Sequence, residues 1–396
     1  MELKVQDFSV LFPQNNRFPP ADAAFGPDKA RLAKRFHNSL PFYAPTKLVA
    51  LSDLAREYGI GGIFVKDEST RFGLKAFKGL GGSYAMFRIL CEKLGLDPEE
   101  ADFMTFQDPA VRAVCRRFRF YTATDGNHGK GVSWAAGLFG CDSFVFMPAG
   151  SSEARRRAIE EAGTAKAVIT EGNYDEAVET ARLEAEKNGG ILIQDTAWEG
   201  YRQIPEWIID GYLTLAAEAA GQLGGRVPTH LFLQAGVGAM AGGLLDYFRR
   251  LFPAQPPRTV LAEPREANCH YVSAQAADGE AHTVGGNPVT IMAGLNCGTP
   301  CLVTWPIIRG HSFAFCACDD IITREGMRTF AHPHGSDPAV TAGESGAVTL
   351  GLLLRILRDA ALREAFGFTQ DSNVLLINTE GDTDPDVYRE IVSGQI

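Results

Sequence analysis

Lys78 is the residue in this sequence whose surroundings are most unusual for its type. It lies in an apolar, glycine-rich segment, residues 72–83, directly after Phe77 and before Leu80 and three glycines. Most lysines are solvated, but apolar neighbours remove water from the ammonium group, which lowers its pKa and leaves a nucleophilic amine. Because such an amine adds to aldehydes, the segment predicts a lysine that forms a Schiff base.

A glycine-rich loop after the apolar run 231–233 is the second candidate, and it leads into a helical pattern. Glycines let the backbone approach a phosphate closely, and the helix N-terminus adds partial positive charge. The residues expected to hold the phosphate are Gly236, Val237, Gly238, Ala239 and Met240. The simpler alternative is that these glycines only permit close packing of the strand and the helix. Together with a Schiff-base lysine, the loop indicates pyridoxal 5'-phosphate, which is bound through its phosphate and its aldehyde.

The same loop also fits a dinucleotide-binding fingerprint, with Gly236, Gly238 and Ala241 at the required spacing. Glu263, at the end of the next predicted strand, would then receive a ribose hydroxyl. This alternative predicts an NAD-dependent oxidoreductase, but it assigns no role to Lys78. A third class is a non-catalytic ligand sensor that keeps the fold and the phosphate loop.

A third loop, residues 122–131, follows another apolar and aromatic run and precedes a helical pattern. Asp125 lies at the turn, where the simplest interpretation is a helix N-cap. The functional interpretation is a site in which main-chain amides hold the carboxylate of an amino acid. Asn127 would then hydrogen-bond the phenolic oxygen of the cofactor, and Asp125 would face the reacting carbons. The lone His128 is more simply interpreted as structural.

Alternating strands and helices must position these loops. Apolar runs rich in β-branched and aromatic residues predict strands at 63–65, 144–146, 167–169, 191–193, 231–233, 260–262 and 374–377. Charged amphipathic segments predict helices over 152–162 and 174–187. This alternation predicts an α/β protein whose parallel sheets are covered by helices. In such folds ligands bind outside the carboxyl ends of the strands, which is where the three loops lie.

Composition excludes several other classes. The 396 residues predict two domains or one elaborated α/β unit, and 45% hydrophobic residues allow a large core. A formal net charge of −10 without long runs of like charge disfavours nucleic acid and anionic membranes as partners. No signal peptide or membrane span is evident, so a cytoplasmic location is expected. No metal site is predicted, because the eight cysteines are scattered and His332 and His334 lack a third ligand.

The order of several motifs along residues 40–385 resembles fold-type II pyridoxal-phosphate enzymes, which include the threonine and serine dehydratases. The motifs are residues 66–69 before the Phe77-Lys78 pair, the turn 126–129, the loop 236–238, residues 262–264 and residues 344–347. The resemblance implies two open, twisted, mostly parallel sheets covered by helices, with a small domain inserted into a larger one. The large domain is expected to comprise residues 1–83 and 191–396, and the small domain residues 84–190.

Within that group, three segments resemble the diaminopropionate ammonia-lyase family. They are residues 70–82, residues 124–129 with Asp125, and residues 194–198 with Asp195. The dehydratases usually carry serine in place of Asp125. The substitution has a chemical sense, because a substrate with a second ammonium group favours carboxylates in the pocket. Asp195, directly after the strand 191–193, is the second such carboxylate. A serine or threonine dehydratase is the alternative.

The resemblance implies a role for each matched residue. Lys78 binds the aldehyde of the cofactor, Phe77 lies beside it, residues 236–240 hold the phosphate, and Asn127 faces the phenolic oxygen. Thr379 is the partner of the pyridine nitrogen, and a hydroxyl there makes a weaker electron sink than a carboxylate, which favours elimination over transamination. The expected substrate-binding residues are Asp195, Thr124, Gly126 and His128.

The expected reaction converts 2,3-diaminopropionate and water to pyruvate and two ammonia. Lys78 and Asp125, on opposite faces of the reacting carbon, are the expected bases, which would allow both the D and the L form as substrate. A homodimer is expected by analogy. Cys269 and Cys297 lie in the segment after the strand at 260–262, where free thiols are favoured over a disulfide.

Overall fold

The computed structural model describes residues 1–13, 18, 21–124, 126–286 and 289–396, with Asp175 described by its backbone alone. Within these ranges the strands are β1 (Glu2–Val5), β2 (Phe8–Leu11), β3 (Lys47–Ala50), β4 (Gly62–Asp67), β5 (Arg119–Ala123), β6 (Asp142–Met147), β7 (Ala165–Ile169), β8 (Ile191–Leu192), β9 (His230–Gln234), β10 (Arg258–Pro264), β11 (Ala314–Cys318) and β12 (Asn373–Asn378). The α-helices are α1 (Pro27–Asn38), α2 (Ser52–Glu57), α3 (Lys78–Leu94), α4 (Pro109–Cys115), α5 (Asn127–Phe139), α6 (Glu153–Ala162), α7 (Tyr174–Lys187), α8 (Gln203–Gln222), α9 (Ala239–Leu251), α10 (Cys269–Ala276), α11 (Trp305–His311), α12 (Asp320–Ala331), α13 (Glu344–Arg358), α14 (Ala360–Phe366) and α15 (Pro385–Ser393).

The described chain forms two compact units. The first unit comprises Met1–Pro27, Pro45–Arg71 and Leu215–Ile396, and the second comprises Asp28–Ala44 and Phe72–Thr214. The second unit contains the predicted small domain, 84–190, together with flanking segments on both sides. These flanking segments include Lys78 and Asp195, which the predicted boundaries assigned to the large domain.

The first unit is built on an eight-stranded sheet with the order β1-β2-β11-β10-β9-β12-β4-β3. The five central strands, β11 to β4, run parallel, and antiparallel strands flank them on both sides. Strands β9 and β11 are buried at every residue, as expected for parallel strands with both faces covered. Helix α13 is buried over most of its length and contributes to the main apolar core on one face of this sheet.

The second unit is built on a four-stranded sheet with the order β7-β6-β5-β8, and all three pairings are parallel. Helix α7 packs on it through a face of small residues, because Ala177, Ala181 and Ala185 are buried. A capping box formed by Asn173 and Glu176 fixes the start of this helix. The carboxyl ends of β5 and β8 lead into the loops that carry Thr124 and Asp195.

The seven strands and two helices predicted from hydrophobic patterning are confirmed within a few residues, and so is the mostly parallel α/β architecture. Strand β11, with the sequence Ala-Phe-Cys-Ala-Cys, has too few β-branched residues to be predicted. The N-terminal hairpin β1–β2 was also missed. Across the described ranges, no helix has both the length and the apolar character needed to cross a membrane.

Candidate active site

Lys78 is the first residue of α3, in the second unit. Its backbone is held by a close helix crossing, since a Cβ atom on Gly131 of α5 would lie only 2.9 Å from the carbonyl carbon of Lys78. A side chain at position 131 would therefore push the two helices apart. The Lys78 side chain itself is 18% exposed. The packing thus fixes the position of the lysine and leaves its amine partly accessible.

Asp195 lies directly against this amine. Nζ of Lys78 donates a hydrogen bond to Oδ2 of Asp195. Burial raises the pKa of the Asp195 carboxyl, but the neighbouring His128 and Lys78 outweigh burial and lower the pKa to about 2. Asp195 is therefore a carboxylate at physiological pH. The structure places these two predicted site residues, which are 117 positions apart in the chain, in direct contact.

His128 contacts the same carboxylate from α5. Its Nε2 lies 2.9 Å from the carbonyl oxygen of Ile193, which can only accept, so Nε2 carries the proton. Its Nδ1 lies 3.8 Å from Oδ2 of Asp195. Burial is the main cause that lowers the pKa of His128, so the ring is neutral at physiological pH. The ammonium group of Lys78 is therefore the cation that faces Asp195.

The loop after β5 is shaped by the hydroxyl of Thr124. Its Oγ1 accepts hydrogen bonds from the amides of Gly126 at 2.9 Å and Gly129 at 3.2 Å, which closes the turn before α5. Asn127 is the first residue of that helix. Asp125 lies outside the described residues. The substrate-binding role of Thr124 and Gly126, and the catalytic role of Asp125, stay predictions.

Gln194 holds the Asp195 segment in place, a role that the sequence analysis missed. Its Oε1 accepts hydrogen bonds from Thr122 Oγ1 at 2.9 Å and from the amide of Ala123 at 3.0 Å. Its Nε2 donates to the carbonyl of Ala123 at 3.1 Å and to the hydroxyl of Tyr174 at 2.8 Å. The buried amide thereby ties the end of β5 to the residue before Asp195. A glutamine beside a site aspartate gave no sequence signal for this role.

Two aromatic rings form an apolar wall beside the lysine. Nζ of Lys78 lies 5.4 Å from the ring centroid of Phe77 and 5.8 Å from that of Tyr212. The two rings lie 4.7 Å apart. Burial raises the pKa of the Tyr212 hydroxyl, so this side chain stays neutral. Phe77 is thus adjacent to the lysine amine, while its contact with the cofactor stays a prediction.

The glycine loop, residues 236–240, lies in the first unit, follows β9 and includes the first two residues of α9. Gly238 has φ +86°, a conformation that favours glycine, and it forms the N-cap of α9. The carbonyl of Val237 accepts a hydrogen bond from the amide of Cys301 at 2.8 Å. The first amides of a helix have no partner within the helix, so they are the groups that this loop can offer to an anion. The predicted phosphate residues therefore lie at a buried helix N-terminus.

Gln234 and Thr379 meet beside this loop at the carboxyl ends of β9 and β12. Nε2 of Gln234 donates to Thr379 Oγ1 at 2.9 Å, and to the carbonyls of Ser345 and Ile377, each at 3.0 Å. Because Thr379 accepts from Gln234, its hydroxyl proton is directed elsewhere and can be donated to a ligand atom. Gln234 was not predicted, since its sequence position shows only the end of a strand.

Glu263 and His270 form a buried pair next to the same loop. Oε1 of Glu263 accepts from the amide of His270 at 2.9 Å and lies 2.8 Å from its Nδ1. Oε2 accepts from the amide of Tyr271 at 2.8 Å. Both side chains are completely buried. Both carboxylate oxygens of Glu263 therefore already have hydrogen-bond partners at the start of α10. This disagrees with the ribose-binding role considered from the sequence.

No disulfide joins Cys269 and Cys297, which lie near the loop in the described part of the chain. Sγ of Cys269 lies 3.8 Å from the carbonyl oxygen of Gly236. A Cβ atom on Gly236 would lie 3.1 Å from Sγ of Cys297, so both sulfur atoms pack on this glycine. Burial raises the pKa of the Cys269 thiol, which keeps it protonated.

A family model described as "Pyridoxal-phosphate dependent enzyme" matches residues 40–380. The chain belongs to this family, and its cofactor is pyridoxal 5'-phosphate. The interpretation of the glycine loop as an NAD site is therefore wrong. Each unit by itself offers groups that suit part of the cofactor. In the first unit these are a glycine-lined helix N-terminus and the Thr379 hydroxyl. In the second unit it is the partly accessible amine of Lys78.

Within the family, the chain groups with the diaminopropionate ammonia-lyases, which are carbon–nitrogen lyases. It is 46% identical to diaminopropionate ammonia-lyase of Salmonella typhimurium over 364 residues, which is 90% of each chain. It matches the crystal structure of the Escherichia coli diaminopropionate ammonia lyase in complex with D-serine at 42% identity and a TM-score of 0.91, over 98% of this chain and 97% of that chain. The Escherichia coli protein in complex with an aminoacrylate-PLP azomethine reaction intermediate matches at 42% identity and a TM-score of 0.88, over the same shares. These findings confirm the resemblance read from the motifs.

Proposed function

We propose that this protein eliminates ammonia from 2,3-diaminopropionate and, with water, yields pyruvate and two ammonia. The observation that carries the proposal is the contact between Lys78 and the Asp195 carboxylate at the start of α3. One group there can take a proton, and the other can bind a second ammonium group. The similarity to diaminopropionate ammonia-lyases over nine-tenths of the chain supports the same substrate.

Lys78 is proposed to have two roles. Its amine would bind the aldehyde of the cofactor and, when it is not attached to the cofactor, would remove the α-proton on its side of the substrate. When bound, the cofactor supplies the electron sink that makes this proton acidic. The rings of Phe77 and Tyr212 form the apolar wall beside this amine.

Asp195 is proposed to bind the β-ammonium group of the substrate. A carboxylate whose pKa is about 2 stays ionised, so it forms a charge-assisted hydrogen bond with a cation in its pocket. Serine has a neutral hydroxyl at the same carbon, which can donate to the carboxylate but gains no attraction between opposite charges. Asp195 therefore favours diaminopropionate over the hydroxyl substrates of a serine or threonine dehydratase.

In the first unit, the loop from Gly236 to Met240 is proposed to hold the cofactor phosphate through its amides. Thr379 is proposed to donate its hydroxyl proton to the pyridine nitrogen, because Gln234 already donates to the hydroxyl oxygen. A neutral donor at this position would not enforce a protonated pyridine ring, so the bound cofactor would favour elimination over transamination. Asn127, on the second unit, is proposed to face the phenolic oxygen.

Asp125 is proposed as a second base that acts on the opposite face from Lys78. Two bases on opposite faces allow both enantiomers of the substrate to react. On this basis Asp125→Asn should lower kcat/KM for D-2,3-diaminopropionate far more than for the L form. Equal losses for the two enantiomers would contradict the assignment. A homodimer and a cytoplasmic location stay predictions.

The proposal is tested by incubating purified holoenzyme separately with D- and L-2,3-diaminopropionate, L-serine and L-threonine. Pyruvate is measured with lactate dehydrogenase, and ammonia with glutamate dehydrogenase. We expect two ammonia per pyruvate, and a much higher kcat/KM for diaminopropionate than for serine. Faster turnover of serine or threonine, with one ammonia per oxo acid, would instead identify a dehydratase.

A further inference from the structure

We propose that His270, oriented by Glu263, is a further binding residue for the cofactor phosphate at the glycine loop. The inference rests on the proposed function, in which residues 236–240 hold that phosphate. It adds a side chain to a site that the sequence assigned to main-chain amides alone.

The contact with Glu263 sets the direction of the His270 imidazole ring. A carboxylate can only accept hydrogen bonds, so the 2.8 Å contact with Glu263 Oε1 places a proton on Nδ1 of His270. The same carboxylate also accepts from the amides of His270 and Tyr271. The backbone and the ring of His270 are thus fixed by one buried side chain, and the opposite ring nitrogen, Nε2, points away from Glu263.

Nε2 faces the glycine loop. A Cβ atom on Gly238 would overlap Nε2 of His270, which shows that the ring edge lies against the N-cap of α9. Among the residues that the structure describes, Nε2 has no hydrogen-bond partner, although His270 is completely buried. Burying a polar atom without a hydrogen-bond partner costs folding free energy. Because Nε2 points at the loop that is proposed to bind a ligand, we infer that the ligand supplies its hydrogen-bond partner.

A phosphate dianion is the group that suits this position. Its oxygens accept hydrogen bonds from the amides at the start of α9, and one more oxygen can accept from a protonated Nε2. With Nδ1 donating to Glu263, a proton on Nε2 lets the other edge of the ring donate to a phosphate oxygen. The pair resembles other carboxylate–histidine pairs, in which the carboxylate fixes the orientation of the ring.

A metal ion is the competing occupant, because Glu263, Cys269 and His270 carry potential ligand atoms within 4.8 Å of one another. The hydrogen bonds argue against it. The Nδ1 proton of His270 faces Glu263, so the two side chains already satisfy each other on that side. Burial also raises the pKa of the Cys269 thiol, which disfavours the thiolate that a metal would require.

The test compares the binding of pyridoxal 5'-phosphate and of pyridoxal, which lacks the phosphate, to apoenzyme prepared from the same holoenzyme. The matched variants are His270→Asn and His270→Gln. Asparagine keeps a donor near the position of Nδ1 and removes the group that faces Gly238. Glutamine keeps a donor near the position of Nε2 and gives up the contact with Glu263. Circular dichroism and the Tm of each apoenzyme report whether the variant folds.

We expect His270→Asn to raise the Kd of pyridoxal 5'-phosphate by roughly tenfold to a hundredfold, as for a charge-assisted hydrogen bond. The Kd of pyridoxal should stay unchanged, and His270→Gln should lose less than His270→Asn. An unchanged ratio of the two Kd values in His270→Asn would overturn the role of His270. Stoichiometric zinc or another transition metal in the purified protein would also overturn it.

Gly238→Ala separates this inference from the proposed function. If Gly238→Ala loses the preference for the phosphorylated cofactor while His270→Asn keeps it, the loop binds phosphate and His270 does not. If unmodified apoenzyme shows no preference for the phosphate, both assignments fail.

A measurement on unmodified protein covers the case in which the variants do not fold. Long-range 1H–15N spectra should show one buried histidine whose Nε2 is protonated when pyridoxal 5'-phosphate is bound, but not when pyridoxal is bound. Identical histidine spectra for the two complexes would contradict the inference.

Discussion

The two units present their functional groups in different ways. In the second unit the groups are charged: the Lys78 ammonium group, whose side chain is 18% exposed, lies at the start of α3, and the buried Asp195 carboxylate lies in the loop after β8. In the first unit the groups beside the glycine loop are Gln234, Thr379 and the amides at the start of α9. They lie at the ends of the buried central strands of the larger sheet.

This difference indicates a division of labour. Proton transfer needs groups whose charge changes, and such groups must keep access to substrate and solvent. Holding a cofactor needs donors and acceptors that do not move, and a buried strand end supplies them because its packing fixes the rotamers. We therefore expect substitutions in the second unit to impair turnover, and substitutions beside the glycine loop to impair cofactor affinity and electronics.

The largest effect is expected for Lys78→Ala. Without the amine, covalent attachment and α-proton removal are both lost, and activity should fall by roughly a thousandfold or more. The visible absorption of the bound cofactor should disappear with it. Lys93→Ala, which removes an exposed lysine from the same helix, is the matched control. Substantial turnover with a retained visible band in Lys78→Ala would refute the assignment of this lysine.

The second largest effect is expected for Asp195→Asn, which should lower kcat/KM for diaminopropionate roughly a hundredfold. The loss should be smaller for serine, since only the β-ammonium group needs the carboxylate. Glu199→Gln, an exposed change in the same segment, is the control. Equal losses on both substrates would show that Asp195 acts on the lysine alone.

The sequence predicted the groups that carry charge better than those that hold them in place. Lys78 stands out because a lysine between glycines and apolar residues is chemically unusual, and Asp195 because it follows a strand. Gln194 and Gln234 do not stand out, because their roles depend on carbonyls and hydroxyls that are tens of residues away along the chain. The patterns that specify buried strands are local, whereas these hydrogen bonds exist only after the sheets have formed.

The pair formed by Glu263 and His270 shows the same limit. The sequence position of Glu263, at the end of a strand after a glycine loop, also fits a ribose ligand. In the structure, α10 starts shortly after the end of that strand. Its amides and the His270 ring form hydrogen bonds with the Glu263 carboxylate. The local sequence around a carboxylate at the end of a strand is the same whether the carboxylate binds a ribose or bonds to the start of the next helix. Only the position of the following helix distinguishes them.

Thr379→Val tests the role of the first unit in the electronics of the cofactor. The change removes the hydroxyl at nearly constant volume, and leaves Nε2 of Gln234 without one of its three acceptors. Turnover should fall roughly tenfold, as for one lost buried hydrogen bond, and the visible band of the bound cofactor should shift. Thr379→Ser keeps the hydroxyl and should keep both the rate and the spectrum. A loss as large as that of Lys78→Ala would break the proposed division.

The smallest effect concerns His230, in β9 of the first unit, and it appears in stability rather than in turnover. Burial against Phe368 lowers the pKa of His230 to about 4, so the folded side chain stays neutral. Between pH 6.5 and 4 the unfolded chain binds a proton that the folded chain does not, so stability falls as the pH falls through this window. From pH 7.5 to 5.5 His230 should account for a loss of about 1 kcal/mol in the free energy of unfolding. His230→Gln should remove this loss in urea titrations, whereas His332→Gln, at an exposed histidine of the same unit, should keep it. An identical pH dependence in His230→Gln and the unmodified protein would mean that His230 is protonated in the folded state, contrary to the neutral side chain that its burial implies.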